Sequence, residues 1–200
     1  MHRYLHLLML IASLLAASTS WAASFKTVVI DAGHGGHDSG GQWGRVYEKH
    51  LALDTAVRLE RHLKRMGFKT VMTRKSDYFV TLPRRVAIAN SEKNAIFVSI
   101  HYNYTWKRHV SGLETFYHGQ DSKMLANHVQ GCLVKRTRTV DRRAKQARYF
   151  VIRNTKIPAI LVEGGFVSNN EDRERMKSGD YRETIAKAIA EGIYRYRWGY

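Results

Sequence analysis

The chain has 200 residues, the length of a single domain with a sizeable core. Its 33 lysines and arginines against 17 acidic residues give a net charge of +16. We therefore expect an anionic partner, such as a nucleic acid, a membrane surface or an envelope polymer. The single cysteine, Cys132, excludes an internal disulfide and a cysteine-based metal site.

The first 22 residues have the layout of a secretory signal peptide. Arg3 supplies a positive charge, residues 5–17 are apolar, and Ser20-Trp21-Ala22 offers small residues for cleavage after Ala22. The apolar run is short for a membrane-spanning helix, although an uncleaved anchor is the alternative interpretation. We predict export to the periplasm or cell envelope, a mature domain over 23–200 and no stable membrane span after cleavage. Export favours an envelope polymer over a nucleic acid as the partner.

A buried strand and a glycine-rich loop begin the mature chain. Residues 28–30 are continuously apolar and β-branched, which is typical of a strand buried on both faces. His34 follows between glycines, so we expect its imidazole just past the C-terminal end of this strand. Residues 48–66 then carry apolar side chains at near-helical spacing, and Gly67 follows as a C-terminal cap.

The rest of the chain alternates strand and helix patterns. Strands are predicted at 69–73, 95–100, 112–117, 149–153 and 159–162, and helices at 84–93, 122–138, 170–177 and 181–198. The strand at 112–117 is a candidate for an edge of the sheet. The alternation predicts an α/β fold in one domain, with a mostly parallel sheet flanked by helices on both faces.

Three of the predicted strands end near a titratable side chain, namely His34, His101 and Glu163. The C-terminal ends of parallel strands lie along one edge, so these side chains could meet in one crevice. Two histidines and a carboxylate are a common ligand set for a catalytic zinc ion. Glu48, at a helix start just past the His34 loop, can supply that carboxylate and leave Glu163 free for proton transfer.

Other interpretations of the same residues remain open. His101 could be a hydrogen-bonded core histidine, Glu163 a helix cap and Glu48 a first-turn carboxylate that suits the helix dipole. His37 could replace one of the histidine ligands. A serine nucleophile has little support, because Ser-x-x-Lys and Gly-x-Ser-x-Gly are absent from the sequence. Nothing in the pattern activates Cys132.

Several segments, in order, resemble the catalytic domain of zinc-dependent N-acetylmuramoyl-L-alanine amidases, the bacterial cell-wall amidases of the amidase-3 type. The resemblance covers about residues 27–197 and includes VVIDAGHGG, YEKHLALDTA, FVSIHYN, GLETFY, LANHVQ and RNTKIPAILVEGGFVSN. It implies one zinc ion per chain, held by His34, Glu48 and His101. It also implies that Glu163 is the catalytic residue.

The resemblance further implies hydrolysis of the amide between N-acetylmuramic acid and L-alanine in peptidoglycan, for cell-wall remodelling or daughter-cell separation. We assign Asn103 and Arg153 as candidate substrate contacts and expect no nucleic-acid partner. The alternatives are a zinc peptidase acting within the stem peptide and a non-catalytic envelope-binding protein. Some relatives insert an inhibitory helix where this chain has only the predicted helix at 122–138, so we expect no requirement for an activator. The basic stretch 135–148 is a candidate contact for anionic wall polymers.

Overall fold

The computed structural model describes residues 23–199, so the predicted signal peptide and its cleavage point lie outside the described residues. Eight strands occur in this part of the chain: β1 (Thr27–Ala32), β2 (Gln42–Trp43), β3 (Val46–Tyr47), β4 (Lys69–Met72), β5 (Ala95–Asn103), β6 (Leu113–Tyr117), β7 (Asp141–Gln146) and β8 (Ala159–Phe166). Six helices accompany them: α1 (Glu48–Arg65), α2 (Leu82–Ser91), α3 (Gln120–Thr137), α4 (Phe150–Asn154), α5 (Asn170–Lys177) and α6 (Gly179–Trp198). None of the helices within 23–199 is both long and apolar enough to cross a membrane.

The main sheet is mostly parallel, as predicted. Its strand order is β4-β1-β5-β8-β6-β7. The neighbours β4, β1, β5 and β8 run in parallel, whereas β6 is antiparallel to β8 and parallel to β7. Because β1, β5 and β8 are adjacent, the strand ends that carry the predicted site lie side by side.

Helices cover both faces of the sheet. On one face, α1, α3 and α6 contribute the fully buried Leu59, Leu133 and Ile189 to a large core cluster. On the other face, α2 and α4 contribute Val86 and Ile152 to a smaller one. Burial of each such side chain stabilises the fold by roughly 1.5–3 kcal/mol. All five predicted helices, α1, α2, α3, α5 and α6, begin and end within two residues of the predicted bounds.

The segment 149–153 is a helix and not the strand that its residues predict. Phe150–Asn154 forms α4, in which Val151 and Ile152 pack in the core with Val86 of α2. Tyr149 and Phe150 remain exposed. The prediction was wrong because a short run of aromatic and β-branched residues does not distinguish a strand from a short buried helix.

The basic stretch 135–148 contains β7, a strand that the sequence pattern does not predict. Arg142 and Lys145 of this strand donate to Oε2 of Glu114 on β6, at 3.1 and 2.6 Å. Because β6 pairs with β7 on one side and with β8 on the other, the strand predicted at 112–117 is interior, and its prediction as an edge strand was wrong. An edge strand rich in charged side chains lacks the apolar alternation by which strands are predicted.

Two of the strands that carry the site are longer than predicted. Glu163 does not end its strand, because β8 continues through Gly164 and Gly165 to Phe166. Likewise β5 continues past His101 to Asn103. His101 and Glu163 are consequently paired in register on neighbouring strands, close to the C-terminal edge of the sheet.

Candidate metal centre and active site

The loop after β1 presents His34 to the sheet edge. His34 has a φ of 58°, and Gly35 and Gly36 also have positive φ values of 129° and 61°. Nδ1 of His34 donates to Oδ2 of Asp38 at 2.9 Å, because a carboxylate can only accept. Nε2 then faces Oε1 of Glu48 at 3.1 Å. This tautomer leaves the lone pair of Nε2 available to a metal ion.

Two buried arginines fix the backbone of this loop. Arg85 donates to the carbonyl oxygens of Ala32 and His34 at 2.5 and 2.6 Å. Arg74 donates to the carbonyl oxygens of Ala32 and Gly33 at 2.9 and 2.7 Å. These bonds satisfy backbone acceptors that the strand-to-loop turn would otherwise leave unpaired, and they hold His34 in position.

Asp31 balances the charge of Arg85 in the core. Its carboxylate accepts from Nη1 of Arg85 at 2.6 Å and from the hydroxyls of Thr73 and Ser99 at 2.7 Å each. Burial alone would raise the pKa of Asp31, but Arg85 and the two hydroxyls bring that pKa below its ordinary value. Sequence reasoning missed Asp31, Arg74 and Arg85 as supports of the site, because an isolated charged residue carries no pattern that marks its burial.

Glu48 begins α1 and reaches both histidines. Its Oε1 lies 2.8 Å from Nδ1 of His101 and accepts from the backbone N–H of Tyr102 at 3.0 Å. Its Oε2 accepts from the N–H of Gly41 at 2.7 Å. Burial would raise the pKa of Glu48, but the neighbouring imidazoles of His101 and His34 lower it well below the ordinary value. The carboxylate is therefore ionised, as a metal ligand must be.

Two glycines leave the space that these side chains occupy. A Cβ on Gly33 would overlap with the imidazole ring of His101. A Cβ on Gly40 would lie 2.5 Å from Cδ2 of His34 and 2.6 Å from Oε2 of Glu48. A side chain at either glycine would therefore displace one of the candidate ligands.

His34, Glu48 and His101 form a group that could hold one metal ion. Each offers one ligand atom, and the three atoms lie within 4.8 Å of one another. His37 is not part of this group, and its ring lies 4.2 Å from the ring of Phe79. Two imidazole nitrogens and one carboxylate oxygen are a donor set that suits Zn²⁺ and leaves a coordination position open. The residues present fit a zinc ion on the chemistry of their donors.

Glu163 lies beside the metal-ligand group. It pairs in register with His101, and its Oε2 is buried with no hydrogen-bond partner among residues 23–199. Burial raises the pKa of Glu163 well above its ordinary value, and the charges of Glu48 and Glu114 add to this effect. A buried carboxyl oxygen without a partner destabilises the fold, so its presence here indicates a chemical use.

A cavity of about 380 Å³ lies beside the two histidines. His34, Asp38 and His101 contribute its polar wall. The rest of the wall is mainly apolar, and it includes Phe79, Val80, Leu82, Tyr149, Phe150, Val151 and Leu161. A concave apolar surface with a few convergent polar groups is typical of a ligand-binding site.

The two candidate substrate contacts do not join the metal-ligand group. Nδ2 of Asn103 donates to Oε1 of Glu114 at 2.8 Å, and its Oδ1 accepts from the N–H of Tyr104 at 2.8 Å. Arg153 is exposed on α4 and does not line the 380 Å³ cavity. Their contact with a substrate stays a prediction.

The fold and the site together define a class of protein. A group of two histidines and one carboxylate lies at the C-terminal edge of the parallel strands. Beside it is a second carboxyl, whose Oε2 has no hydrogen-bond partner among the residues that the structure describes. Two imidazoles and a carboxylate can hold a metal ion and a further carboxyl can move a proton, so the arrangement has the groups that a metal-dependent hydrolase uses.

Comparison with known proteins gives the family. Residues 28–195 match the Amidase_3 family, which is described as N-acetylmuramoyl-L-alanine amidase. The chain belongs to this family and is an N-acetylmuramoyl-L-alanine amidase, as its sequence motifs predict.

Individual relatives agree with the family match. The chain is 35% identical over 198 residues to the N-acetylmuramoyl-L-alanine amidase LytC of Bacillus subtilis, and the match covers 94% of this chain but 40% of LytC. The catalytic domain of CwlV from Bacillus (Paenibacillus) polymyxa var. colistinus matches with a TM-score of 0.83 and 37% identity, over 86% of this chain and 98% of that chain. The CwlD amidase from Clostridioides difficile, solved in complex with the GerS lipoprotein, matches with a TM-score of 0.82 and 30% identity, over 86% of this chain and 98% of CwlD.

Proposed function

We propose that this amidase is a zinc-dependent peptidoglycan hydrolase that cleaves the amide between N-acetylmuramic acid and L-alanine of the stem peptide. The observation that carries the proposal is the convergence of His34, Glu48 and His101 next to the buried carboxyl of Glu163, whose Oε2 has no hydrogen-bond partner within 23–199. The names of LytC and CwlV support the same reaction. The proposed role is cell-wall remodelling or daughter-cell separation.

His34, Glu48 and His101 would hold the zinc ion, each through one atom: the carboxylate of Glu48 and the ring nitrogens that face it. Bound there, zinc supplies the Lewis acidity that polarises the scissile carbonyl and makes a water molecule more acidic. The protein fixes the donors with a second set of hydrogen bonds: Asp38 orients His34, and the N–H of Tyr102 anchors Glu48.

Glu163 is the proposed proton carrier. Its Oε2 has no partner among the described residues, so it is available to the attacking water. The carboxylate takes a proton from this water and returns it to the amine of L-alanine as the carbon–nitrogen bond breaks. Because Glu48 already completes the ligand set, Glu163 is not needed to bind the metal.

We expect the purified chain to clear peptidoglycan in a zymogram, and a zinc chelator to abolish the clearing. Treatment with 1,10-phenanthroline removes the proposed ion, whereas its non-chelating isomer 1,7-phenanthroline is the matched control and should have no effect. Added zinc should restore activity. Clearing that survives full removal of zinc would contradict the zinc dependence.

Mass analysis of the digest separates this amidase from the alternatives. The amidase releases stem peptides with a free N-terminal L-alanine, whereas a zinc peptidase leaves L-alanine attached to muramic acid. A non-catalytic binding protein would release neither product.

The same zymogram tests whether an activator is needed. The buried side chains of α3 pack with those of α1 and α6 on one face of the sheet. Val151 and Leu161, which line the cavity, belong to the core cluster on the other face. Within 23–199, α3 contributes no residue to the wall of the 380 Å³ cavity. We therefore propose that the chain is active alone, although CwlD was solved together with a lipoprotein. Protein that is inert until a partner is added would contradict this.

We also propose that the protein acts in the envelope after export. N-terminal sequencing of protein from an envelope fraction should find a start near Ala23. Substituting Leu8→Arg and Leu14→Arg interrupts the apolar run, and it should leave unprocessed protein in the cytoplasm. Retention of Met1 on cytoplasmic protein in the unsubstituted chain would refute export.

A further inference from the structure

A polar pocket of about 580 Å³ adjoins the β2–β3 hairpin, separate from the apolar cavity beside the histidines. Trp43 of the hairpin, Arg108, Ser168 and Arg173 form much of its wall. None of these residues belongs to the zinc site, and Trp43, Arg108 and Arg173 lie outside the segments that carry the family resemblance.

Both arginines of this pocket stack on the indole ring. The Cζ atom of Arg108 lies 4.5 Å from the centroid of Trp43, and that of Arg173 lies 4.9 Å from it. Arg173 is buried, and it donates to the carbonyl oxygen of Val167 at 3.0 Å and to Oδ1 of Asn170 at 2.8 Å. Arg108 is exposed, and its guanidinium makes a cation–π contact with the ring.

The positive charge of the pocket is not neutralised within the described chain. Over residues 23–199, neither guanidinium forms an ion pair with a carboxylate, and Arg173 bonds only to uncharged acceptors. Glu171, the acidic residue on the pocket wall, is exposed and pairs with Arg175 at 3.7 Å. Asp172 instead accepts from the N–H groups of Gly112 and Phe166 at 2.9 and 3.0 Å. The pocket is thus complementary to an anion.

Two hydrogen bonds link the chain segments of the pocket wall to segments at the zinc site. Gly41, two residues before Trp43, donates to Oε2 of Glu48 at 2.7 Å. Ser168 accepts from the N–H of Thr105, just past the end of β5, at 3.1 Å. Two residues of extended chain span on the order of 7 Å. Trp43 therefore lies within about two residues' length of Gly41, whose N–H contacts Glu48, and the pocket is close to the zinc site.

We propose that Trp43, Arg108 and Arg173 bind a carboxylate of the stem peptide, namely the free α-carboxylate of the D-glutamate that follows L-alanine. The inference rests on the proposed function, which puts the L-alanyl amide at the zinc site. A guanidinium matches a carboxylate in charge and fork geometry, whereas a carboxamide is neutral and turns a donor toward it. The pocket therefore selects stem peptides whose second residue is not amidated.

Binding to zinc-loaded Glu163→Gln protein, measured by titration calorimetry, tests the proposal without hydrolysis. The two probes are N-acetylmuramoyl-L-alanyl-γ-D-glutamyl-L-lysine and the same compound with D-isoglutamine in place of D-glutamate. We expect the acid to bind about tenfold more tightly than the amide, because the hydrogen bonds are to a charged group. Adding Arg108→Ala should make the two affinities equal, and Arg108→Lys should keep part of the difference.

Arg61→Ala is the matched control, because Arg61 is an exposed arginine of α1 outside the pocket. It should leave the tenfold difference unchanged. Equal affinities before any change to Arg108, or a difference that survives Arg108→Ala, would overturn the proposal. So would inorganic phosphate binding in the pocket together with equal affinities for the two probes. If the unsubstituted enzyme cleaves neither compound but the acid still binds more tightly, the pocket is supported and the proposed reaction is refuted.

Discussion

Glu163→Gln will keep its zinc and bind peptidoglycan while hydrolysis falls by roughly 10²- to 10⁴-fold, the usual effect of losing a general base. Glutamine keeps the size of the side chain but cannot accept the proton of the attacking water. Because Oε2 of Glu163 has no partner within 23–199, the change removes no hydrogen bond there and the fold should persist. Turnover of soluble muropeptides and elemental analysis for zinc measure the two effects separately.

Glu114→Gln is the control for removing a buried carboxylate next to the site. Glu114 accepts from Asn103, Arg142 and Lys145, so its neutralisation should lower the melting temperature. Turnover should fall far less than in Glu163→Gln. Loss of zinc from Glu163→Gln would mean that the roles of Glu48 and Glu163 are exchanged. Near-normal turnover in that variant would mean that the base lies elsewhere.

His101→Ala will lose bound zinc and activity together. Removing Nδ1 of His101 leaves one imidazole and one carboxylate, a set that no longer fills three positions around a tetrahedral ion. Even the loss of a residue that only orients a ligand costs about 10- to 100-fold in metal affinity, so the loss of a ligand should exceed that range. Competition with a chromophoric chelator measures the affinity, and zymography measures the activity.

His37→Ala is the matched control for that substitution. It removes an imidazole from the same glycine-rich loop, but His37 contacts Phe79 and lies outside the metal-ligand group. Zinc affinity should be unchanged in this variant. Full zinc occupancy in His101→Ala, or loss of zinc in His37→Ala, would show that the ligand set has been assigned wrongly.

The convergence of His34, Glu48 and His101 could be predicted because its signals are local. An apolar β-branched run followed by a glycine-bracketed histidine indicates both the strand and the position of His34. The same holds for His101 after its apolar strand, and the parallel sheet brings them together. The position of Glu48 could be predicted because it begins a clearly amphipathic helix.

The supports of the site could not be predicted, because they depend on tertiary contacts. Arg85 is far along the chain from Asp31, and nothing near either residue shows that they meet in the core. The same limit applies to α4 and β7. Val151 and Ile152 fit a strand as well as a helix, and the charges of β7 are explained only by Glu114 on the neighbouring strand.

The charged strand β7 also forms one of the two edges of the main sheet. Its outer edge has backbone groups that could pair with another copy of the chain and extend the sheet from molecule to molecule. Such pairing would bring Arg142, Arg143 and Lys145 of the two copies close together, and like charges facing each other across strands repel. Arg143 also has a φ of 70°, and the register with β6 shifts nearby, so this edge is irregular as well as cationic. We therefore expect the strand that completes the sheet to disfavour edge-to-edge pairing between copies.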